Sequence, residues 1–330
     1  MGGLGKAFLA GIGRDTLVGD IPESVFAMFQ LTFAVITPAL IIGAFAERVR
    51  FSAMLLFTAL WSLLVYVPVA HWMWGGGWLQ QLGALDFAGG IVVHVTAGVA
   101  GLVAAIYVGH RKGFPHTPML PHSLTLSVVG AGMLWMGWFG FNAGSALRAD
   151  GQAGMAVVVT QISAGTAAMV WLFVEWRRNG RPSVLGIITG AVAGLATITP
   201  GSGYVGAGGA LAIGVVAGLV CFVGATSLKR RMGYDDSLDA FGVHGVGGLV
   251  GSILTGAFAA KAFGGSQDVD VARQLGVQLL ACGVTAAWSA GLTWLSLRLA
   301  DRFTAGVRVD EEHEVMGLDL TAHEERGYDY

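Results

Sequence analysis

The chain has 330 residues, of which 54% are hydrophobic and 12% charged, about half the ~25% charged share of a soluble domain. So few charges cover little water-facing surface, which points to a membrane protein and excludes soluble two-domain, disordered and secreted disulfide-framework classes. The net charge of −2 excludes a basic nucleic-acid footprint, and Cys221 and Cys282 lie in apolar runs where no disulfide is expected.

Residues 1–22, with Lys6, Arg14, Asp15, Asp20 and Pro22, hold no apolar core long enough for a signal peptide and read as an exterior loop. A transmembrane domain over 23–300 follows. A spanning helix needs roughly 20 apolar residues, and charges divide this region into nine such runs: 24–46, 51–74, 89–110, 122–146, 152–176, 184–199, 205–228, 240–260 and 274–300. The runs are long and apolar around the whole circumference, so an all-α polytopic membrane protein is expected, not a barrel of short alternating strands. Fifty-two glycines against eight prolines imply close helix packing in such a bundle. Residues 301–330 form an acidic tail with Asp310, Glu311, Glu312, Glu314, Asp319, Glu324, Glu325 and Asp329, ending Arg326-Gly327-Tyr328-Asp329-Tyr330. It reads as cytoplasmic, either as a solvated edge or as a docking segment.

Short loops rich in lysine and arginine stay in the cytoplasm. The connections after spans one, three, five and seven carry Arg48, Arg50, Arg111, Lys112, Arg177, Arg178, Arg181, Lys229, Arg230 and Arg231, ten in all, whereas the alternate connections hold only Arg148, Lys261 and Arg273. This asymmetry predicts an exterior N-terminus and a cytoplasmic tail.

The first span opens Phe26-Ala27-Met28-Phe29-Gln30-Leu31-Thr32-Phe33, where composition alone does not separate gate from filler. The second ends His71-Trp72-Met73-Trp74, followed by three glycines and Trp78. Trp72 and Trp78 read as interface anchors; Trp74 is either an anchor or an aromatic face that attracts a cation at a pore mouth. Asp86 ahead of the third span either lends a negative field or caps the helix, and the cap is favoured, with a long-range electrostatic contribution as by-product.

Two histidines stand apart from the others. His94 and His244 lie at membrane depth, where an ionisable group is by default functional because burying it unpaired is costly. Each begins a His-x3-Gly-x2-Gly pattern and follows a valine. An aspartate precedes each, Asp86 eight residues ahead of His94 and Asp239 five ahead of His244. They fall on spans three and eight, which run in opposite directions, as in transporters built from inverted repeats. A lone membrane histidine is more often an interhelical hydrogen bond, but the matched pair favours function. Two neutral imidazoles in contact can share one N–H···N bond and leave a donor and an acceptor to pass a proton or hold a small solute. A metal site is a poor alternative, since no third ligand lies at helical spacing. Five-helix repeats predict two further helices ahead of residue 1.

Asp86-Phe87-Ala88-Gly89-Gly90-x-Val92-Val93-His94, Gly137-Trp138-Phe139-Gly140-Phe141-Asn142-Ala143-Gly144-Ser145 and Phe241-Gly242-Val243-His244-Gly245 closely resemble the ammonium transporter (Amt) branch of the Amt/Rh family. The resemblance runs nearly end to end, through Ala44-Phe45-Ala46-Glu47-Arg48, Val67-Pro68, Trp74-Gly75-Gly76-Gly77 and Gly317-Leu318-Asp319. It implies an inverted-repeat helix bundle with nine spans present of an expected eleven. It also implies a homotrimer in the cell membrane with one substrate path per subunit, no enzymatic activity, and no cofactor or metal. By position Trp74 and Ser145 match the residues that recruit ammonium, Asp86 the acid that supports them, Phe33 and Phe141 the stacked pair closing the vestibule, and His94 and His244 the twin histidines of the pore. Ammonia crosses such a pore with or without a relayed proton, and methylammonium serves as an analogue. The resemblance further implies a PII signal-transduction protein as partner of the tail. The rival expectations are an ammonium sensor of the same fold, a truncated non-conducting remnant, and a Rh-type gas channel, the last disfavoured by Trp74, Ser145 and the tail.

Overall fold

The computed structural model describes residues 3–327; Met1 and Gly2 of the expected exterior loop and Tyr328, Asp329 and Tyr330 of the tail lie outside the described residues. A two-stranded antiparallel hairpin, β1 (Leu17–Val18) and β2 (Ile21–Pro22), leads into helices long and apolar enough to cross a membrane. Among the described residues there are nine: α1 Glu23–Phe45, α2 Phe51–Leu82, α3 Gly90–Val108, α4 Leu124–Ala146, α5 Gly151–Asn179, α6 Val184–Gly201, α7 Ala207–Met232, α8 Phe241–Phe258 and α9 Val271–Phe303. The tail adds two short helices, α10 Glu311–Met316 and α11 Leu318–His323.

Boundaries shift from the hydropathy limits by a few residues, and three of the shifts have a clear local reason. α2 breaks after Trp74 at three glycines and resumes as Trp78–Leu82, closed by Gly83 in a left-handed conformation. α5 continues past the apolar run through Arg177 and Arg178 until Gly180 ends it with φ +78°. α9 starts three residues early because Asp270 caps it, accepting the Arg273 N–H at 2.7 Å. Ser183 and Asp150 cap α6 and α5 in the same way.

The ends of the helices sort into two layers. At one, the connection after α1 meets that after α7 through Arg48 and Ser237, and the connection after α3 meets it through Arg111 and Asp235. At the other, Phe87 ahead of α3 bonds Pro200 at the end of α6, and Gln152 of α5 bonds Gly203. All the basic connections therefore share one end of the bundle.

α3 and α8 cross in opposite directions at the centre. Glycine makes the crossing possible: a Cβ on Gly98 would lie 2.0 Å from the Gly245 amide nitrogen, and one on Gly248 2.8 Å from the His94 Cβ. Small residues let the two backbones touch, and that contact brings the two histidines together.

Candidate functional site

At the end of the bundle opposite the basic connections lies a cavity of about 410 Å³, lined among others by Phe29, Gln30, Phe33, Trp74, Phe87 and Ser145. The Trp74 indole N–H donates to the Asp86 carbonyl at 2.8 Å, which fixes the ring and leaves no free N–H to offer the cavity. Ser145 Oγ donates to the Phe141 carbonyl at 2.9 Å. With its proton so placed, its lone pairs are left to accept a bond from a cation.

An aromatic column descends from this cavity. The Phe33 ring lies 5.4 Å from Trp74, edge on, and 4.5 Å from Phe141 at an interplanar angle of 46°. The two phenylalanines are thus in contact but tilted, not stacked. Phe141 is 6.1 Å from His94, and the His94 and His244 rings stack at 5.1 Å with planes 19° apart. His244 lines a second cavity of about 730 Å³ at the basic end, together with Glu47, Arg111, His122, Ser237 and Asp239.

The shared N–H···N bond expected of the histidines is not formed. Both ring nitrogens of His94 and Nδ1 of His244 are buried without a hydrogen-bond partner. The glycine-mediated crossing of α3 and α8 sets the rings face to face, so their in-plane nitrogens point past each other. Among the described residues no three His, Cys, Asp or Glu side chains gather as a metal group.

Both histidines sit in π-helical first turns, Gly90–Val95 and Phe241–Gly245, a wide turn that recurs at functional sites. Asp86 caps the first. Its Oδ1 accepts from Gly89 and Gly90 at 2.9 and 2.6 Å, and its Oδ2 from Ile91 and Val92 at 2.9 and 3.0 Å. Burial pushes its carboxyl up to about 6, against these four N–H groups, which pull it down. The equivalent cap on α8 is not Asp239, which pairs with Lys229 at 2.8 Å. It is Asp236, whose Oδ1 accepts from Ala240 at 3.0 Å and Oδ2 from Phe241 at 2.8 Å.

A family model described as Ammonium Transporter Family matches residues 5–328. The chain belongs to the ammonium transporter family. It is 48% identical to an ammonium transporter of Bacillus subtilis, covering 99% of this chain and 82% of that one. It is 45% identical to ammonium transporter Amt1 of Archaeoglobus fulgidus over 99% and 82% of the two chains. The fold is similar to the crystal structure of Candida albicans Mep2, with a TM-score of 0.87 and 37% identity over 94% of this chain and 72% of that one. A solved structure described as a sensor Amt protein also matches, with a TM-score of 0.84 and 33% identity over 90% and 76%. These relatives are transporters and sensors, so membership of this family makes the chain a multi-pass membrane protein and not an enzyme.

In this ammonium transporter family member two residues, one stacked on the column and one capping α8, were not singled out from sequence. Trp138 stacks on His94 at 5.4 Å and 20°, and its indole N–H donates to Thr199 Oγ1 at 2.9 Å. It stands one turn ahead of Phe141 and two ahead of Ser145, so helical spacing alone puts all three on one face. Asp236 is eight residues ahead of His244, the spacing that Asp86 keeps from His94, and equal spacing was the signal for it.

Proposed function

We propose that this chain moves ammonium nitrogen across the cell membrane as ammonia. Ammonium is recruited in the outer cavity by the Trp74 ring face and the Ser145 hydroxyl, in the field of Asp86. It gives up a proton at the floor formed by Phe33 and Phe141, and ammonia passes along His94 and His244 to the inner cavity. The observation that carries this reading is the unbroken column of Trp74, Phe33, Phe141, His94 and His244 between two cavities.

The physical logic is discrimination by charge. A bare cation in an apolar passage loses its hydration without replacement, at a cost of several kcal/mol or more, whereas neutral ammonia does not. Potassium has no proton to give up and is refused. The proton from ammonium either returns outside or passes along the two imidazoles, and charge moved per ammonia distinguishes these routes. We further propose a homotrimer with its basic connections and tail in the cytoplasm, surrounded by membrane lipid, with the tail available to a PII signal-transduction protein. Binding of PII to the purified protein, and its loss on removing 301–330, tests the last point.

Uptake of labelled methylammonium by cells expressing the chain tests the whole reading. Saturable uptake that potassium does not inhibit supports it; its absence from protein correctly inserted in the membrane overturns it. Similarity to a sensor Amt protein favours one second reading, a sensor that conducts little. In that case ammonium would bind with negligible flux.

A further inference from the structure

The segment 83–87 carries Asp86 yet contains no regular secondary structure, so side chains from elsewhere must hold it. Gln278, fully buried on α9, grips it by both backbone groups of one residue. The Leu85 N–H donates to Gln278 Oε1 at 2.8 Å, and Gln278 Nε2 donates to the Leu85 carbonyl at 2.8 Å. The same Nε2 donates to the Ser252 carbonyl of α8 at 3.0 Å. One turn earlier, Gln274 donates to the Gly83 carbonyl at 2.9 Å and to Gln278 Oε1 at 3.3 Å. A buried amide in a membrane helix is costly unless its donors and acceptor are met, and here the segment meets them.

The grip bears on the outer cavity through one residue. Leu85 directly precedes Asp86, whose carbonyl accepts the Trp74 indole N–H, and Phe87 is tied to the Pro200 carbonyl at 3.0 Å. Trp74 and Phe87 both line the cavity. We propose that Gln278 is a positioning residue for substrate recruitment: by clamping Leu85 it fixes the Asp86 carbonyl, and through that carbonyl the orientation of the Trp74 ring. This rests on the reading of Trp74 as a recruiting surface.

The test is methylammonium uptake over a range of concentrations, normalised to protein in the membrane. Gln278→Met keeps the bulk and removes the clamp. Its KM rises about tenfold, the factor equivalent to one good hydrogen bond, while Vmax per molecule stays within about twofold. Gln274→Met, which grips only Gly83, raises KM less. Ser289→Ala removes a buried α9 hydroxyl that bonds the Thr96 carbonyl and does not touch the segment; it lowers protein yield and leaves KM unchanged.

Trp74→Leu in the same assay separates the two layers of the argument. An unaltered KM there overturns the recruitment reading and this inference with it. A raised KM for Trp74→Leu beside an unaltered KM for Gln278→Met, or a fall in Vmax alone, overturns the positioning role only. Where Gln278→Met does not reach the membrane, an unaltered KM in Gln274→Met overturns it instead.

Discussion

Asp86 and Asp236 form an inverted pair: each stands eight residues ahead of one of the two stacked histidines, and each carboxylate accepts backbone N–H bonds from the first turn of the helix bearing that histidine. Removing an ordinary cap costs about 0.5–2 kcal/mol, and a buried carboxylate that meets four N–H groups exceeds that range. Asp86→Ala therefore lowers the amount of folded protein in the membrane together with uptake. Asp236→Ala lowers yield as well, by a smaller margin, since its carboxylate takes two such bonds. Quantitative blotting beside uptake checks this. Normal Asp86→Ala levels with abolished uptake would make the role of Asp86 purely electrostatic.

The Asp86 carboxyl, raised to about 6 by burial, gives recruitment a pH dependence of definite sign. An acid with a raised value is charged above it and neutral below, so the negative field behind Trp74 fades as outside pH drops through about 6. KM for methylammonium then rises on acidification. His71 also lines the cavity, and the profile is measured in a His71→Gln background. Asp86→Asn flattens the acid limb while keeping two acceptor lone pairs for the cap. An equally steep limb in Asp86→Asn refutes the assignment.

Most of the fold was legible in the sequence because bilayer thickness and charge placement dictate it: nine apolar runs give nine spanning helices among the described residues, and the ten basic residues gather at one end. The expected histidine meeting followed from the repeat. What hydropathy does not encode is backbone detail. The stacking of His94 on His244 depends on how closely Gly98 approaches Gly245, and a stretch of glycine does not announce which one touches. Asp239 is the nearer aspartate to His244, but Asp236 keeps the eight-residue spacing that the cap geometry requires. Trp138 escaped notice because tryptophans in membrane helices are common, and only its face on α4 distinguishes it.

In the proposed passage the two imidazoles supply polar nitrogens among apolar rings. Replacing both His94 and His244 by alanine removes every imidazole nitrogen there and opens space beside Phe141 and Trp138. Methylammonium uptake at a fixed low concentration falls by an order of magnitude or more, the size of general acid–base contributions, with membrane levels retained. Unchanged uptake in the double variant sinks the pore role of these histidines.

In the proposed passage Trp138 forms a wall beside His94, its ring nearly parallel to the imidazole and pinned by Thr199. Trp138→Leu widens the passage at the first histidine. The ratio of methylammonium to ammonium flux then rises about tenfold, comparable to the discrimination one methyl group commands in a fitted apolar site. Thr199→Val, which only unpins the indole, moves the ratio in the same direction by less. Competition between the two substrates in one uptake assay measures both. A ratio that does not change in Trp138→Leu removes Trp138 from the selectivity of the passage.

At the basic end, Asp235 joins three connections and, through them, the tail. Arg111 binds it with two side-chain N–H groups at 2.7 and 2.9 Å and a backbone N–H at 2.7 Å, and fully buried Arg48 lies 3.7 Å away while donating to the Asp235 carbonyl. Arg308 of the tail reaches the Val108 carbonyl at 2.9 Å and Glu314 at 2.8 Å, so the tail is docked here and not simply solvated. Burial opposes ionisation of Asp235, but the bonds from Arg111 and the charges of Arg111 and Arg48 outweigh it and hold its carboxyl below the ordinary 3.8. An acid depressed by folding stabilises above its unfolded value and loses that contribution as pH falls through the folded one. Asp235→Ala leaves buried positive charge unpaired, worth about 3–5 kcal/mol, and lowers the Tm in detergent at neutral pH. Arg50→Ala, which breaks a largely exposed pair with Asp310, costs ~0–1 kcal/mol. The Tm difference between Asp235→Ala and the parent shrinks only when pH falls below about 4; a difference that is constant down to pH 3 refutes the ionic account of this junction.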